Sequence, residues 1–303
     1  GTPMVPNTYY GSSALKSVHI ASTVTLIGDQ ACGGCANLVN VTFAANSVLS
    51  TVGFGAFSSS GVVSVDIPDA TKTFHDKAFY LCASLRSVSF TSKSQLALLS
   101  TYAFGSCTVL SSFAVPDTVT SIDSSCFGSA SGLKTVTFGS ASALTAIGNY
   151  AFRSSGLTTM TVPSAVVTIG NSAFSSCSAL KSMYMNLINS QLTSIGSSAF
   201  SSCSALKFVH FDYSSSQLTS IGGGAFSYSG LVGFAIPESV TLVSDYAFAY
   251  CSSLKAVYMS CASQATINYR AFRSSSGLMS IGLPASVQYT GSLLRLSNCA
   301  IPG

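Results

Sequence analysis

Charge is the property that this sequence has least of. Only 7% of its 303 residues are Asp, Glu, Lys or Arg, whereas an ordinary soluble domain has about 25%. The 13 basic and 9 acidic residues leave a net charge of +4, which is too dilute for the basic surface of a nucleic-acid-binding protein. We therefore expect no nucleic-acid partner.

Tryptophan is absent, and so is any long apolar run. Hydrophobic residues make up 48% of the chain, which is too many for an intrinsically disordered protein. They are interrupted throughout, and no stretch approaches the ~18 consecutive apolar residues of a membrane helix. The sequence predicts a folded chain without a membrane-spanning segment, in which the apolar residues are placed very regularly.

Motifs of known catalytic chemistry are also missing. The sequence has no G-x-S-x-G nucleophile elbow, no H-E-x-x-H metal motif and no phosphate-binding loop. Asp29, Asp76, Asp123 and Asp245 recur at similar places, which indicates turn chemistry rather than one carboxylate site. We predict no enzymatic activity, and no catalytic, cofactor-binding or metal-binding residues.

What the sequence does contain is a repeat. The dipeptide Ala-Phe, replaced once by Cys-Phe and once by Ala-Cys, occurs eleven times at intervals of 22 to 26 residues. Each repeat continues with small residues, then Leu, then a segment that alternates apolar and polar residues, as at Leu206, Val209 and Phe211. Alternation at a period of two is typical of a β-strand.

The repeats must stack on one another, because a unit of about 24 residues cannot cover its own apolar face. We predict eleven to twelve stacked repeats, with their strands in one parallel β-sheet along one face. The Phe rings are expected to stack inside as a spine.

The repeat resembles leucine-rich repeats of the BspA-like type. The motif is Leu-x-x-Val-x-Ile-Pro-x-x-Val-x-x-Ile-Gly-x-x-Ala-Phe-x-x-Cys-x-x-Leu, and the chain follows it closely at Leu157, Met160, Val162, Pro163, Val166, Ile169, Gly170, Ala173, Phe174, Cys177 and Leu180. The resemblance covers about residues 12–290. It implies a leucine-rich-repeat solenoid with turns or short helical segments on the side away from the sheet. It also implies an adhesion or interaction module of a bacterial or protist surface.

The ends of the chain depart from the repeat. We place the solenoid at residues 12–285, an N-terminal cap or extension at 1–11 and a C-terminal cap at 286–303. The first residues lack the pattern of a signal peptide and do not start with Met, and the last residues lack a hydrophobic anchor tail. We therefore expect a secreted, processed chain that is extracellular or on the cell surface.

Six of the ten cysteines share one slot, three residues after the Phe position. They are Cys35, Cys82, Cys107, Cys177, Cys203 and Cys251. We interpret them as a ladder of small buried side chains, for which Cys is well suited. Cys32-Gly33-Gly34-Cys35 matches C-x-x-C, but both of its cysteines fall in repeat slots. A disulfide between Cys261 and Cys299 is a further hypothesis.

The outward strand positions are the candidate binding surface, because solenoids usually bind through the exposed face of their sheet. These positions are small and hydroxylic in the first two thirds of the chain and become aromatic afterwards, at Tyr184, Phe208, His210 and Tyr258. Aromatic side chains anchor contacts with little entropic cost. Tyr and Phe also favour strands for packing alone.

Basic residues recur in the slot that follows the Leu of the repeat. Stacked, they form a sparse basic stripe of Lys16, Arg86, Lys134, Lys181, Lys207 and Lys255. Such a stripe either protects the margin of the sheet or attracts acidic glycans and acidic protein surfaces. The one N-glycosylation sequon makes Asn40 a possible glycan site.

Two functions fit these features. The first is a non-enzymatic extracellular or cell-surface module that binds a protein or glycan through the exposed sheet face. The alternative is a structural subunit of an extracellular assembly, such as a filament, coat or appendage, since a weakly charged surface does little to repel its own copies.

Overall fold

Short strands and turns make up the protein. A computed structural model describes residues 3–185, 189–211, 215–260 and 262–282, together with the strand backbone at 288–289 and 296–297. Throughout these residues no segment is helical. The chain packs as two compact units, an N-terminal unit at Gly1–Leu157 and a C-terminal unit at Thr158–Gly303.

The N-terminal unit has twelve strands among its described residues. In chain order they are β1 (Ser17–Ile20), β2 (Leu26–Ile27), β3 (Asn40–Phe43), β4 (Thr51–Val52), β5 (Ser64–Asp66), β6 (Thr73–Phe74), β7 (Ser87–Ser89), β8 (Leu98–Leu99), β9 (Ser112–Val115), β10 (Ser121–Ile122), β11 (Thr135–Phe138) and β12 (Ala146–Ile147). The odd-numbered strands form what we call the front ladder, and the even-numbered strands form the back ladder.

The C-terminal unit repeats this arrangement. Its described strands are β13 (Thr159–Val162), β14 (Thr168–Ile169), β15 (Ser182–Met185), β16 (Ser194–Ile195), β17 (Phe208–His210), β18 (Ser220–Ile221), β19 (Gly233–Ile236), β20 (Leu242–Val243), β21 (Ala256–Met259), β22 (Thr266–Ile267), β23 (Ser280–Gly282), β24 (Gln288–Tyr289) and β25 (Leu296–Ser297). Odd-numbered strands again belong to the front ladder.

The front ladder contains the strands that the alternating pattern predicted, and they are parallel. On β9 the inward Phe113 and Val115 are buried, whereas the outward Ser112 and Ala114 are exposed. Equivalent positions pair without a shift, so Val18 on β1 lies opposite Val41 on β3. The register therefore brings the same slot of successive repeats together along one face.

The back ladder is a departure from the prediction of a single sheet. Two residues of each repeat, assigned from the sequence to a loop, pair in parallel with their equivalents, as Ile195 does with Ile221. In β2 to β22 the second residue of each even-numbered strand is buried, and it is aliphatic in all of them but β6, where it is Phe74. A strand of two residues is too short for alternation to reveal it.

The side away from the front ladder consists of turns. The resemblance implied either turns or short helical segments there. The residues two before and two after the central Phe have positive φ, as at Tyr102 (57°) and Ser106 (59°) around Phe104. This left-handed conformation interrupts a right-handed helix. The Ala-Phe segment is therefore held as a tight turn.

The predicted Phe spine is present within each unit. Consecutive rings stack nearly parallel, with centroids 5.2 Å apart for Phe57 and Phe79 and 5.1 Å apart for Phe174 and Phe200. The backbone stacks with the rings, since the N–H of Phe57 donates to the carbonyl of Ala78 at 2.8 Å. Each ring is thus covered by its neighbours on both sides.

The cysteine ladder is confirmed as a row of buried thiols beside the spine. Cys82, Cys107, Cys203 and Cys251 each donate to the carbonyl of the Phe one repeat earlier, as Cys82 does to Phe57 at 3.0 Å and Cys251 to Phe226 at 3.0 Å. Ser275 in the same slot donates to Phe248 at 2.6 Å. The slot therefore favours a small side chain, and in all repeats but that of Ala130 this side chain can donate a hydrogen bond.

None of the eight described cysteines is joined in a disulfide. This includes the neighbours Cys82 and Cys107. Cys261 and Cys299 lie outside the described residues, so the hypothesis of a disulfide between them stays a prediction. Most of the predicted C-terminal cap also lies outside them.

The N-terminal segment follows the turn of the repeats. Tyr9 occupies the Phe slot, and its N–H donates to the carbonyl of Ala31 at 2.7 Å. Met4 forms a parallel bridge with Ile27 of the back ladder. The carbonyl of Tyr9 accepts the thiol of Cys35 at 2.9 Å, as a Phe carbonyl does elsewhere.

Truncation of a spine ring should be costly. Phe127 is fully buried and stacks on Phe104 and Phe152. We expect Phe127→Ala to lower the free energy of unfolding by about 3–5 kcal/mol, because it leaves a cavity between two rings. Urea unfolding followed by circular dichroism measures this. Phe54→Ala, at a ring that is 37% exposed, is the control and should cost about 1 kcal/mol or less. Equal losses would contradict the spine.

Burial of the thiols should make stability depend on alkaline pH. Desolvation raises the pKa of Cys82 from its ordinary value of 9.0 to about 11. Folding therefore favours the protonated thiol, and this stabilisation is complete below pH 9 and is lost as the pH rises towards 11. Cys82→Ser keeps the hydrogen-bond donor and removes the titration.

Urea unfolding at about pH 8 and about pH 10.5 tests this expectation. The wild type should lose more free energy of unfolding than Cys82→Ser over this interval, by up to about 2 kcal/mol. Other titrating groups are common to both proteins and cancel in the comparison. Identical losses would show that Cys82 has the same pKa in the folded and the unfolded chain, which would contradict its desolvation.

Candidate functional site

The front face of the C-terminal unit carries the predicted aromatic residues, and the register brings them together. Tyr184 on β15 pairs with His210 on β17, and Tyr258 lies in the equivalent slot on β21. Phe208 is 51% exposed, Tyr184 38% and Tyr258 37%. These rings are therefore available at the surface rather than packed into the core.

Two of the rings form a stack. The rings of Tyr184 and His210 lie 4.6 Å apart at an angle of 6°, and the ring of Phe208 lies 6.1 Å from that of His210. Each side chain is fixed by a strand whose inward residues, such as Val209, are buried in the core. The cluster is thus a rigid aromatic surface.

A groove separates this cluster from Tyr258. Its floor is β19, whose outward residues are the small Gly233 and Ala235. The cavity has a volume of about 470 Å³, and Phe208, His210 and Tyr258 contribute to its lining. The groove exists because one strand between two aromatic strands carries almost no side chain.

The front ladder is also interrupted at this point. β17 and β19 belong to separate hydrogen-bonded groups of strands. The N–H of Val232 donates to the carbonyl of Lys207 over 3.4 Å, at the start of the two strands. The groove therefore lies where successive strands are held less closely than elsewhere in the unit.

The basic stripe borders the same face. Backbone hydrogen bonds connect its slot from rung to rung, from Lys207 to Lys181 at 3.0 Å and from Lys255 to Val232 at 2.8 Å. The side chain of Lys255 lines the groove. Among the described residues that line the groove there is no carboxylate.

In the N-terminal unit the basic residues of the stripe stand farther from one another. Lys16 and Arg86 are separated by two rungs whose slot holds Val39 and Val63, and Lys134 follows one rung after Ser111. On the outward positions of β1, β7 and β11, the strands that follow them, the one aromatic ring is that of His19. On the front face, among the described residues, several outward rings lie beside the lysines of the stripe in the C-terminal unit.

Asn40, the possible glycan site, lies at the start of β3 with an exposed side chain. It pairs with Ser17 on one side and Ser64 on the other. Glycosylation of this residue stays a prediction.

A protein-family model matches the sequence. The model of the BspA type leucine rich repeat region matches residues 4–107, 97–214 and 186–300, in six copies. These ranges cover nearly the whole chain. The chain belongs to the BspA-type leucine-rich repeat family. None of the curated proteins matches it in sequence.

Several solved structures, among them leucine-rich repeat proteins, share the fold. A leucine-rich repeat protein from Bacteroides ovatus has a TM-score of 0.64 and 22% identity, over 95% of this chain and 86% of that one. The pneumococcal vaccine antigen PcpA has a TM-score of 0.61 and 19% identity, over 91% and 69%. A leucine-rich repeat protein from Eubacterium ventriosum has 0.53 and 20%, over 99% and 82%. At such identities the likeness establishes the fold alone.

The turn side of the BspA-type repeats has a second aromatic cluster, which the sequence analysis missed. Tyr228 and Tyr250 stack at 4.5 Å, and the guanidinium of Arg273 donates to the hydroxyl of Tyr246 at 3.3 Å. Hydrogen bonds from Arg270 and Arg273 lower the pKa of Tyr246. We call these five residues the turn-face cluster. The sequence pattern that could have predicted this cluster is the tyrosine that recurs two residues before or after Phe.

The described residues of this BspA-type chain offer little for catalysis. The C-x-x-C motif is buried, and desolvation, followed by the charge of Cys35, raises the pKa of Cys32 to about 12. A thiol with so high a pKa is a poor nucleophile near neutral pH. Over the same residues, no three His, Cys, Asp or Glu side chains gather as metal ligands would.

Within the described part of the chain there is no helix with the length and apolar character that crossing a bilayer requires.

Proposed function

We propose that this chain is a non-enzymatic binding module that recognises a protein or a glycan on the front face of its C-terminal unit. The observation that carries the proposal is the groove between the Tyr184–His210 stack and Tyr258. A concave surface with exposed rings and a few polar groups is the usual form of a binding site. Membership of a family of leucine-rich repeats supports an interaction role.

The physical basis of this proposal is that the rings are exposed on strands that are already fixed. Exposed Phe, Tyr and His side chains offer large apolar areas, and burying them against a ligand releases water. Their strands are fixed by buried residues on the other side of the sheet. A strand that is already fixed reduces the entropy lost on binding, so more of the contact energy appears as affinity.

The place of action in this proposal is the cell surface or the extracellular space. Recognition through a long, weakly charged, hydroxyl-rich face suits contacts with external proteins and sugars. Only 7% of the residues are charged, so the face offers contacts made by rings and hydroxyls rather than by ion pairs.

A structural subunit of an extracellular assembly is the second candidate. Large apolar side chains are exposed near both ends of the described chain, at Val5 (58%) and Met279 (75%). Such residues favour packing against further copies. Sedimentation velocity over a wide range of concentrations separates the two functions, because an assembly subunit forms ordered polymers and a binding module stays small.

The binding proposal predicts a specific loss. A variant with Tyr184→Ala, His210→Ala and Tyr258→Ala should bind its ligands at least about tenfold more weakly, because central aromatic anchors dominate such interfaces. Ligands are identified on arrays of immobilised glycans and purified extracellular proteins, and affinities are measured by surface plasmon resonance.

The matched control changes aromatic residues of the turn-face cluster, with Tyr228→Ala and Tyr250→Ala. It removes two stacked rings from the same unit and should leave affinity within about twofold. Equal binding by the wild type and the triple variant would reject the front face as the site. Ordered polymers of the wild type would favour the structural role instead.

A further inference from the structure

One ring is missing from the row of outward rings on the front face of the C-terminal unit. Tyr184 and His210 fill the same slot on β15 and β17, and Tyr258 fills it on β21. On β19, between His210 and Tyr258, the slot holds Ala235. The gap is therefore one rung wide and has a ring on either side.

The gap has the dimensions of a stacked ring. Within the row, Tyr184 and His210 lie 4.6 Å apart and nearly parallel. His210 and Tyr258 are two rungs apart, which corresponds to at least about 10 Å, because β17 and β19 belong to separate hydrogen-bonded groups. A ring placed midway would lie about 5 Å from each of them, within the range at which rings stack. A ligand ring in this place would continue the row.

We propose that the gap over Ala235 is a subsite for an acidic pyranose, a sugar ring that carries a carboxylate, as part of a glycan. This inference rests on the proposed function of the front face and specifies its ligand. The C–H faces of the sugar ring pack against His210 and Tyr258. Its hydroxyls and carboxylate point towards the rim of the groove.

The charges at the rim favour an acidic ligand. Lys181, Lys207 and Lys255 are exposed in the slot at the start of their strands, and Lys255 lines the groove. No carboxylate is present among the described lining residues to neutralise them. A positive rim without acidic partners attracts a negatively charged ligand and disfavours a positively charged one.

A sugar fits this surface better than a peptide strand does. The N–H and C=O groups of a strand lie in the plane of the sheet and point towards the neighbouring strands, so those of β17 and β19 are not directed out of the groove, although these two strands belong to separate groups. The floor residues Gly233 and Ala235 have no polar side-chain atoms. An extended peptide laid in the groove would leave its own backbone groups without partners. A pyranose instead presents C–H faces to the rings and keeps its hydroxyls at the wet rim.

Two sources of the acidic ring are distinguished by two probes. One is an oligosaccharide of hyaluronan, which contains a uronic acid, and the other is sialyllactose, which contains a sialic acid. Each is compared with its carboxyl-reduced, neutral form by titration calorimetry with the full chain. We expect one acidic probe to bind, and its neutral form to bind at least about tenfold more weakly.

The sharpest variant fills the gap. Ala235→Phe places a ring where the sugar would stack, so affinity for the acidic probe should fall at least about tenfold. Ala114→Phe is the matched control, because Ala114 has the same outward slot on β9 of the N-terminal unit, and it should change affinity less than about twofold. Lys255→Gln should weaken binding and reduce its dependence on salt.

Three results would overturn this inference: no binding of either acidic probe, equal binding of the neutral forms, or unchanged affinity of Ala235→Phe. If a protein ligand is instead found and is lost in the variant of Tyr184, His210 and Tyr258, the front face is a binding site but not for an acidic sugar. If no ligand of any kind depends on those three residues, the proposed function fails as well.

Discussion

The separation of neighbouring strands in a sheet, about 4.8 Å, is the constraint on which the rest of this structure depends. Within each unit a side chain must fit against its equivalent one rung away, so a slot accepts only residues that pack on themselves. Phe satisfies this condition: consecutive spine rings of the C-terminal unit lie 5.1 to 5.4 Å apart and almost parallel. Strand pairing and ring stacking therefore have the same period.

The same spacing explains how the interior satisfies its polar groups without charge. Spine carbonyls accept hydrogen bonds from uncharged groups: that of Phe57 accepts the N–H of Ser60 and the thiol of Cys82, and that of Phe248 accepts the hydroxyl of Ser275. Thiols and hydroxyls are small enough to be repeated at every rung, and burying them costs far less than burying ions. A chain with 7% charged residues can thus be fully folded.

Features that depend on residue type at a fixed period were predictable from the sequence: the spine, the front strands and the cysteine slot. The back ladder was not, because two residues such as Ser194 and Ile195 show no alternation. The turn-face tyrosines, such as Tyr250 with its φ of 60°, were missed because left-handed turns rarely hold tyrosine. The groove was missed because Gly233 and Ala235 indicate it only by having no large side chain. The strand register is needed to show which rings lie beside them.

This last case shows how a repeat protein can make a site without changing its fold. Outward side chains do not support the core, so replacing a ring by Ala235 leaves the inward Phe234 and Ile236 buried as before. The scaffold keeps the flanking rings in place, and the missing ring becomes a gap of defined width. Recognition then arises from one small residue in a row of large ones. The rigid backbone contributes the walls, and the basic residues of the neighbouring slot contribute the charge.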